Sequence, residues 1–163
     1  MITPILIAAF AVVALAAIMG TIYYQTCYAT PSFEELTNAS EQIEIKGQEY
    51  TLEVFLWRDY MPISPPHGKP LIASIRITAN DSQNFPNNVN ADKLWVIKNS
   101  GEIWETAFTY EQPTPLHNYQ LEKIAREGPK WEPNTQVDVV VRVTCEGNTY
   151  LLRATNQTIN QTE

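Results

Sequence analysis

The sequence predicts an all-β protein, an immunoglobulin-like antiparallel β-sandwich of about seven or eight strands preceded by one N-terminal transmembrane helix. Three observations carry that expectation. Residues 1–33 contain no charged side chain. From residue 42 onward apolar and polar residues alternate with a period of two, in runs rich in β-branched and aromatic side chains. Clusters of Pro, Asn and Gly separate those runs at the spacing expected of strands and turns.

Taken in order, residues 1–4 form a short tail and residues 5–26 an anchor helix. Within the anchor, residues 5–24 read ILIAAFAVVALAAIMGTIYY. Twenty residues at about 1.5 Å rise span about 30 Å, the hydrocarbon thickness of a bilayer. Tyr23, Tyr24 and Tyr28 follow where phenol rings favour the lipid interface. A cleaved signal peptide ending at Ala29 is the competing reading. A signal has an apolar region of about 7–15 residues behind a basic start, and this run is longer with no Lys or Arg before it. No Lys or Arg flanks the span until Lys46, so only the terminal amine favours a cytoplasmic N-terminus. The expected location is thus a single-pass membrane protein whose acidic domain, beginning at Glu34 and Glu35, is extracytoplasmic. Asn-x-Ser/Thr triplets at Asn38, Asn80, Asn156 and Asn160 are compatible with that side. Ala8, Ala9, Ala11, Ala14, Ala16, Ala17 and Gly20 give the helix close-approach faces for neighbouring membrane segments.

Residues 27–41 are expected to be a tether with one helical turn at SFEEL, and residues 42–163 the β-domain. Gln42–Ile45 and residues 49–58 flank Lys46-Gly47-Gln48, with Tyr50, Leu52, Val54 and Leu56 on one face. Residues 71–78 alternate as a further strand. Residues 94–98 and 102–108 flank Asn99-Ser100-Gly101, which sets Ile97 opposite Ile103 and Lys98 opposite Glu102. Residues 118–126 fit a strand or a short helix. Val137, Val139, Val141 and Val143 share a face and meet Tyr150, Leu152 and Ala154 across a turn at Glu146-Gly147-Asn148. Cys27 lies beside the anchor and Cys145 at a hairpin tip, so no disulfide bridging two sheets is expected.

Composition excludes several function classes. The chain has 163 residues, a net charge of -7, two Cys and two His. Eleven Lys and Arg spread among eighteen carboxylates cannot make a phosphate-tracking surface, so no nucleic-acid partner is expected. Two Cys make neither a disulfide scaffold nor a four-thiolate zinc site. No His or Met follows Cys145, which removes a cupredoxin-type copper site. Met61, His67 and His117 are the residue types that a looser copper or zinc site would use. Nothing resembles a nucleophile elbow, a His-Glu-x-x-His helix or a phosphate-cradling loop, and Glu34/Glu35 and Glu102/Glu105 read as solvated pairs. Neither enzymatic activity nor a cofactor is expected.

Proline placement is the informative signal. Residues 60–70, YMPISPPHGKP, hold four Pro, and residues 111–115 with 128–133 hold four more. Each Pro fixes φ and lowers the entropy lost when a loop is ordered against a partner. Tyr60, Met61, His67, His117 and Trp131 on these loops are the candidate partner-binding residues, since aromatic and Met anchors recur at binding hot spots. The leading expectation is a membrane-anchored accessory or adaptor subunit whose outer domain binds a protein partner, with residues 5–24 in the bilayer. The alternative is a tethered or secreted domain that binds a small ligand or a Cu/Zn ion.

Overall fold

The computed structural model describes residues 30–162 apart from 82, 83, 100, 112 and 114–116. The expected anchor at residues 5–26 lies outside the described residues. Among the described residues, no helix is long and apolar enough to cross a membrane.

Residues 33–163 form one unit, whose described residues make one short helix, α1 (Phe33–Thr37), and eight strands. The strands are β1 (Gln42–Ile45), β2 (Gln48–Asp59), β3 (Leu71–Ala79), β4 (Val89–Lys98), β5 (Ile103–Ala107), β6 (Gln120–Gly128), β7 (Gln136–Cys145) and β8 (Asn148–Thr162). The all-β expectation and the strand number are met, and residues 118–126 resolve to strand β6.

Each hairpin follows from its turn chemistry. Lys46-Gly47 (φ 54° and 80°) and Glu146-Gly147 (φ 48° and 83°) are two-residue turns with both φ positive, the geometry whose twist matches paired strands. Across the second turn Val143 pairs with Tyr150, Val141 with Leu152 and Val139 with Ala154. In the β4–β5 hairpin Ile97 pairs with Ile103, and the Lys98 amine lies 3.1 Å from the Glu102 carboxylate.

The strands run β5-β4-β7-β8-β2-β3-β6 in one hydrogen-bonded path, with β1 added to β2. β8 joins the two halves. Through Thr158 it pairs antiparallel with β7, and from Ile159 to Thr162 it pairs parallel with β2. A bulge precedes the change of partner, where Asn156 has φ 53° and its N–H donates 2.9 Å to the Asp138 side chain instead of to the ladder. Two sheets therefore share one strand, and the sandwich-like stack approaches a barrel. Its remaining seam, between β5 and β6, is narrow. The Thr109 N–H donates 2.8 Å to the Ile124 carbonyl, and a side chain at Gly128 would meet Trp104 at 2.8 Å and Leu71 at 2.9 Å.

Inward-facing residues from both sheets build the core: Tyr50 and Leu56 on β2, Leu71, Ala73, Ile75 and Ile77 on β3, Leu94 and Val96 on β4, and Val137, Val139, Val141 and Val143 on β7. A second apolar layer lies on the outer face of β4 and β7, where Leu36 of α1 covers Trp95, Ile97 and Val140. Residues 33–41, expected as tether, are thus attached to the domain. The Arg153 guanidinium donates to the Thr37 carbonyl and lies 2.6 Å from Asp138, and the Arg153 N–H donates 2.8 Å to the Ser40 carbonyl. This lid explains why β7 reads VDVVVRV: Val140 points outward but is not in water.

Candidate functional site

Period two along β2 places Arg58 on the same face as Tyr50, Leu52, Val54 and Leu56, so its side chain enters the end of the core. It is 1% exposed. Among the described residues no carboxylate pairs with it; backbone carbonyls from two separate loops accept its donors. Nε donates to the Lys69 carbonyl at 3.0 Å, one terminal nitrogen donates to Lys130 and Trp131 at 3.2 and 3.0 Å, and the other donates to His67. The Tyr60 ring lies 5.0 Å from the guanidinium carbon, adding a cation–π contact. A fork of five N–H donors is the side chain suited to gathering several carbonyls, and here it ties residues 60–70 to residues 128–133.

The remaining polar groups of residues 59–69 stiffen the first loop. Asp59 accepts from the Met61 N–H at 2.9 Å and from the Lys69 amine at 2.6 Å, and the Lys69 hydrogen bond holds the Asp59 carboxyl below its ordinary range. Gly68 has φ 69° and lies under the Tyr60 ring, where a Cβ would sit 2.9 Å from Cζ. The Ser64 N–H donates to the Met61 carbonyl and the Gly68 N–H to the Pro65 carbonyl, at 2.7 and 2.9 Å. On the neighbouring loop the Trp131 indole donates 2.9 Å to Glu102, with the Lys98 amine 5.7 Å from its ring centroid. Residues 60–70, the Lys98–Glu102 pair and residues 128–135 are therefore gathered at one end of the domain.

Of the residues singled out from sequence, four meet at this end and play different parts. Trp131 is 9% exposed and packs with the core, so it supports the loops from below and is not a free anchor. Tyr60 is half-buried between Arg58 and Gly68. Met61 and His67 are exposed at the loop surface. His117 is elsewhere. It precedes β6 at the Gln120 end, stacked 4.9 Å from Tyr119, whereas Gly128 at the other end of β6 pairs with Leu71. The length of β6 separates the two ends by about 26 Å at 3.3 Å per residue. Met61 and His67 therefore sit at one end of the domain and His117 at the other. Among the described residues no three His, Cys, Asp or Glu side chains converge as a metal site.

Two residues that matter here were not singled out from the sequence. Arg58 was readable from period two as a cation ending an apolar face. Ile63 sits inside the Pro-rich run and is 89% exposed, beside Met61 at 47%. With Pro62, Pro65 and Pro66 also exposed, the loop presents an apolar tip on a base that Arg58 fixes. Exposed aliphatic side chains on a stiff loop lose little entropy on binding, which is the physical requirement for a recognition surface.

No protein-family model matches the chain and no curated protein matches it, so the reading of this site rests on its own geometry.

Proposed function

We propose that this chain is a membrane-anchored accessory protein, a non-enzymatic adaptor whose extracytoplasmic β-domain binds a protein partner through the loop tip at residues 61–67. One observation carries the reading: Met61 and Ile63 are held in solvent by a loop whose base is locked to a second loop by the buried Arg58. A soluble domain gains nothing by stiffening an exposed apolar tip, whereas a binding surface does. Within this reading the architecture is an immunoglobulin-like sandwich lacking the bridge between sheets, and residues 5–24 hold it at the bilayer.

The test is co-purification of the tagged full-length chain from its native membrane in mild detergent, with the intact mass read alongside. The wild type and a Phe33→Asp control, altered at an exposed phenylalanine away from the loop, are expected to retain a stoichiometric partner and an uncleaved N-terminus. Met61→Asp and Ile63→Asp are expected to lose the partner while keeping the wild-type circular dichroism spectrum. Retention of the partner by both loop variants, or a wild-type chain that travels alone, overturns the proposal.

A further inference from the structure

The outer face of β2 and β3 carries an aromatic pair set among charged and small polar side chains, distinct from the loop tip. Phe55 is 52% exposed, and its ring lies 5.2 Å from that of Trp57. Cross-strand pairing puts Phe55 beside Ser74, Trp57 beside Ile72, Glu53 beside Arg76 and Thr51 beside Thr78. Ser74 is too small to fill its row, and a depression of about 120 Å³ opens there, walled by Phe55, Arg76, Glu53 and Glu122. A protruding ring thus stands next to a hole.

We infer that this face pairs with the same face of a second copy of the chain, forming a two-fold dimer. Consider an axis parallel to the strands, midway between β2 and β3. A half-turn about it carries the β2 column of one copy over the β3 column of the other at the same level. Each residue then faces its own cross-strand neighbour from the partner copy, which is the condition for a self-complementary contact. The pairs along these strands satisfy it row by row. Phe55 enters the hole over Ser74, Trp57 covers Ile72, and the Glu53 carboxylate meets the Arg76 guanidinium, in duplicate. Glu53 has capacity for that contact, since its side chain is 64% exposed and its bond to Arg76 within one copy is a single one at 3.1 Å. Arg76 keeps its 2.8 Å contact with Glu122, whose hydrogen bond is the first cause of a guanidinium held above its ordinary range. Like charges do not face each other in these rows. Sheets stacked this way pack about 10 Å apart, close enough for ring and hole to interlock.

The area sets the size class of the contact. Four rows on β2, β3 and β6 cover about 400 Å² per copy at strand spacing, which puts the dimer at the small, reversible end of specific contacts. Its dissociation constant is expected in the tens of micromolar, a concentration that two chains confined to one surface reach readily.

Sedimentation of the full-length chain in neutral detergent, from about 1 to about 300 µM, brackets that constant. The wild type and Ile63→Asp are expected to move from monomer to dimer across the range. Phe55→Glu removes the ring, and Ser74→Lys fills the hole and sets a cation beside Arg76. Each is expected to raise the dissociation constant roughly tenfold or more. Two variants on different strands guard against one that fails to fold, and circular dichroism identifies such a failure. A wild type that stays monomeric, or folded Phe55→Glu and Ser74→Lys chains that still dimerise as the wild type does, overturns the inference.

Discussion

Replacing Arg58 by Met keeps most of the stem's volume and removes every donor. Four carbonyls, those of His67, Lys69, Lys130 and Trp131, lose their partner. Charge-assisted bonds contribute about 1.5–3 kcal/mol each, so the gross loss is roughly 6–12 kcal/mol. The same change removes a buried cation whose desolvation costs several kcal/mol, and that relief offsets about half of the loss. The expected net destabilisation is about 3–5 kcal/mol, the range found when a member of a buried charged arrangement is deleted. For a domain of this size, that lowers the melting temperature by about 10–20 °C. Thermal unfolding followed by near-ultraviolet circular dichroism reads it, because Trp131 and Tyr60 sit at the affected end. Arg58→Lys separates charge from geometry: one ammonium reaches fewer of the four carbonyls, and about half the loss is expected. A Met variant within about 1 kcal/mol of the wild type would refute the assignment of Arg58 as the tie between loops. A Lys variant as stable as the wild type would show that charge alone suffices.

Other perturbations probe the rest of the structure. Gly68→Ala places a methyl group against the Tyr60 ring at a backbone φ of 69°, and a loss of about 1–2 kcal/mol with altered tyrosine fluorescence is expected. Leu36→Ala uncovers Trp95 and Val140 at a cost of about 2–4 kcal/mol, and hydrogen exchange should rise first at residues 33–41. Acid should destabilise the fold through Asp59, Glu105, Glu111 and Glu146, which hydrogen bonds from Lys69, Lys93, Arg126 and Lys46 respectively hold below their ordinary ranges. Folded values lower than unfolded ones mean that the unfolded chain binds protons first. Stability is then full above about pH 5 and falls as pH drops through the folded values. Urea midpoints between pH 7 and pH 3 test this, and midpoints that rise on acidification contradict it.

What the sequence made legible was local. Lys46-Gly47 and Glu146-Gly147 announce hairpins whose registers follow from face matching, and Lys98 with Glu102 marks the third. The turns at Gly47 and Gly147 hold two residues where a third was allowed, and the faces were unchanged. Long-range pairing was not legible. Val140 and Trp95 face outward on their strands and are nonetheless buried, because α1 returns over them; a helix of five residues gives no amphipathic period that would announce this. The partner change within β8 leaves a faint trace, since alternation stumbles at Asn156, but nothing local says which strand receives residues 159–162. The candidate site divides the same way. Proline density pointed to residues 60–70 and 128–133 separately, whereas their grouping, and the exclusion of His117 from that group, depends on the β3–β6 pairing.

The shared strand has a consequence for how the chain reaches this structure. Asn160 donates to the Leu56 carbonyl across 104 residues of sequence, while the β1–β2, β4–β5 and β7–β8 hairpins close over two to four residues. Closing so long a loop must be accomplished before its contacts contribute anything, so the hairpins form early and the β2–β8 junction late. In kinetic terms, Ile159→Val should leave the folding rate nearly unchanged and accelerate unfolding, the signature of a contact absent from the transition state. Until that junction closes, the end of β2 is an open ladder carrying Leu56 and Trp57, a template onto which another nascent chain can add. Crowded synthesis is therefore the condition in which this protein would most need an escort.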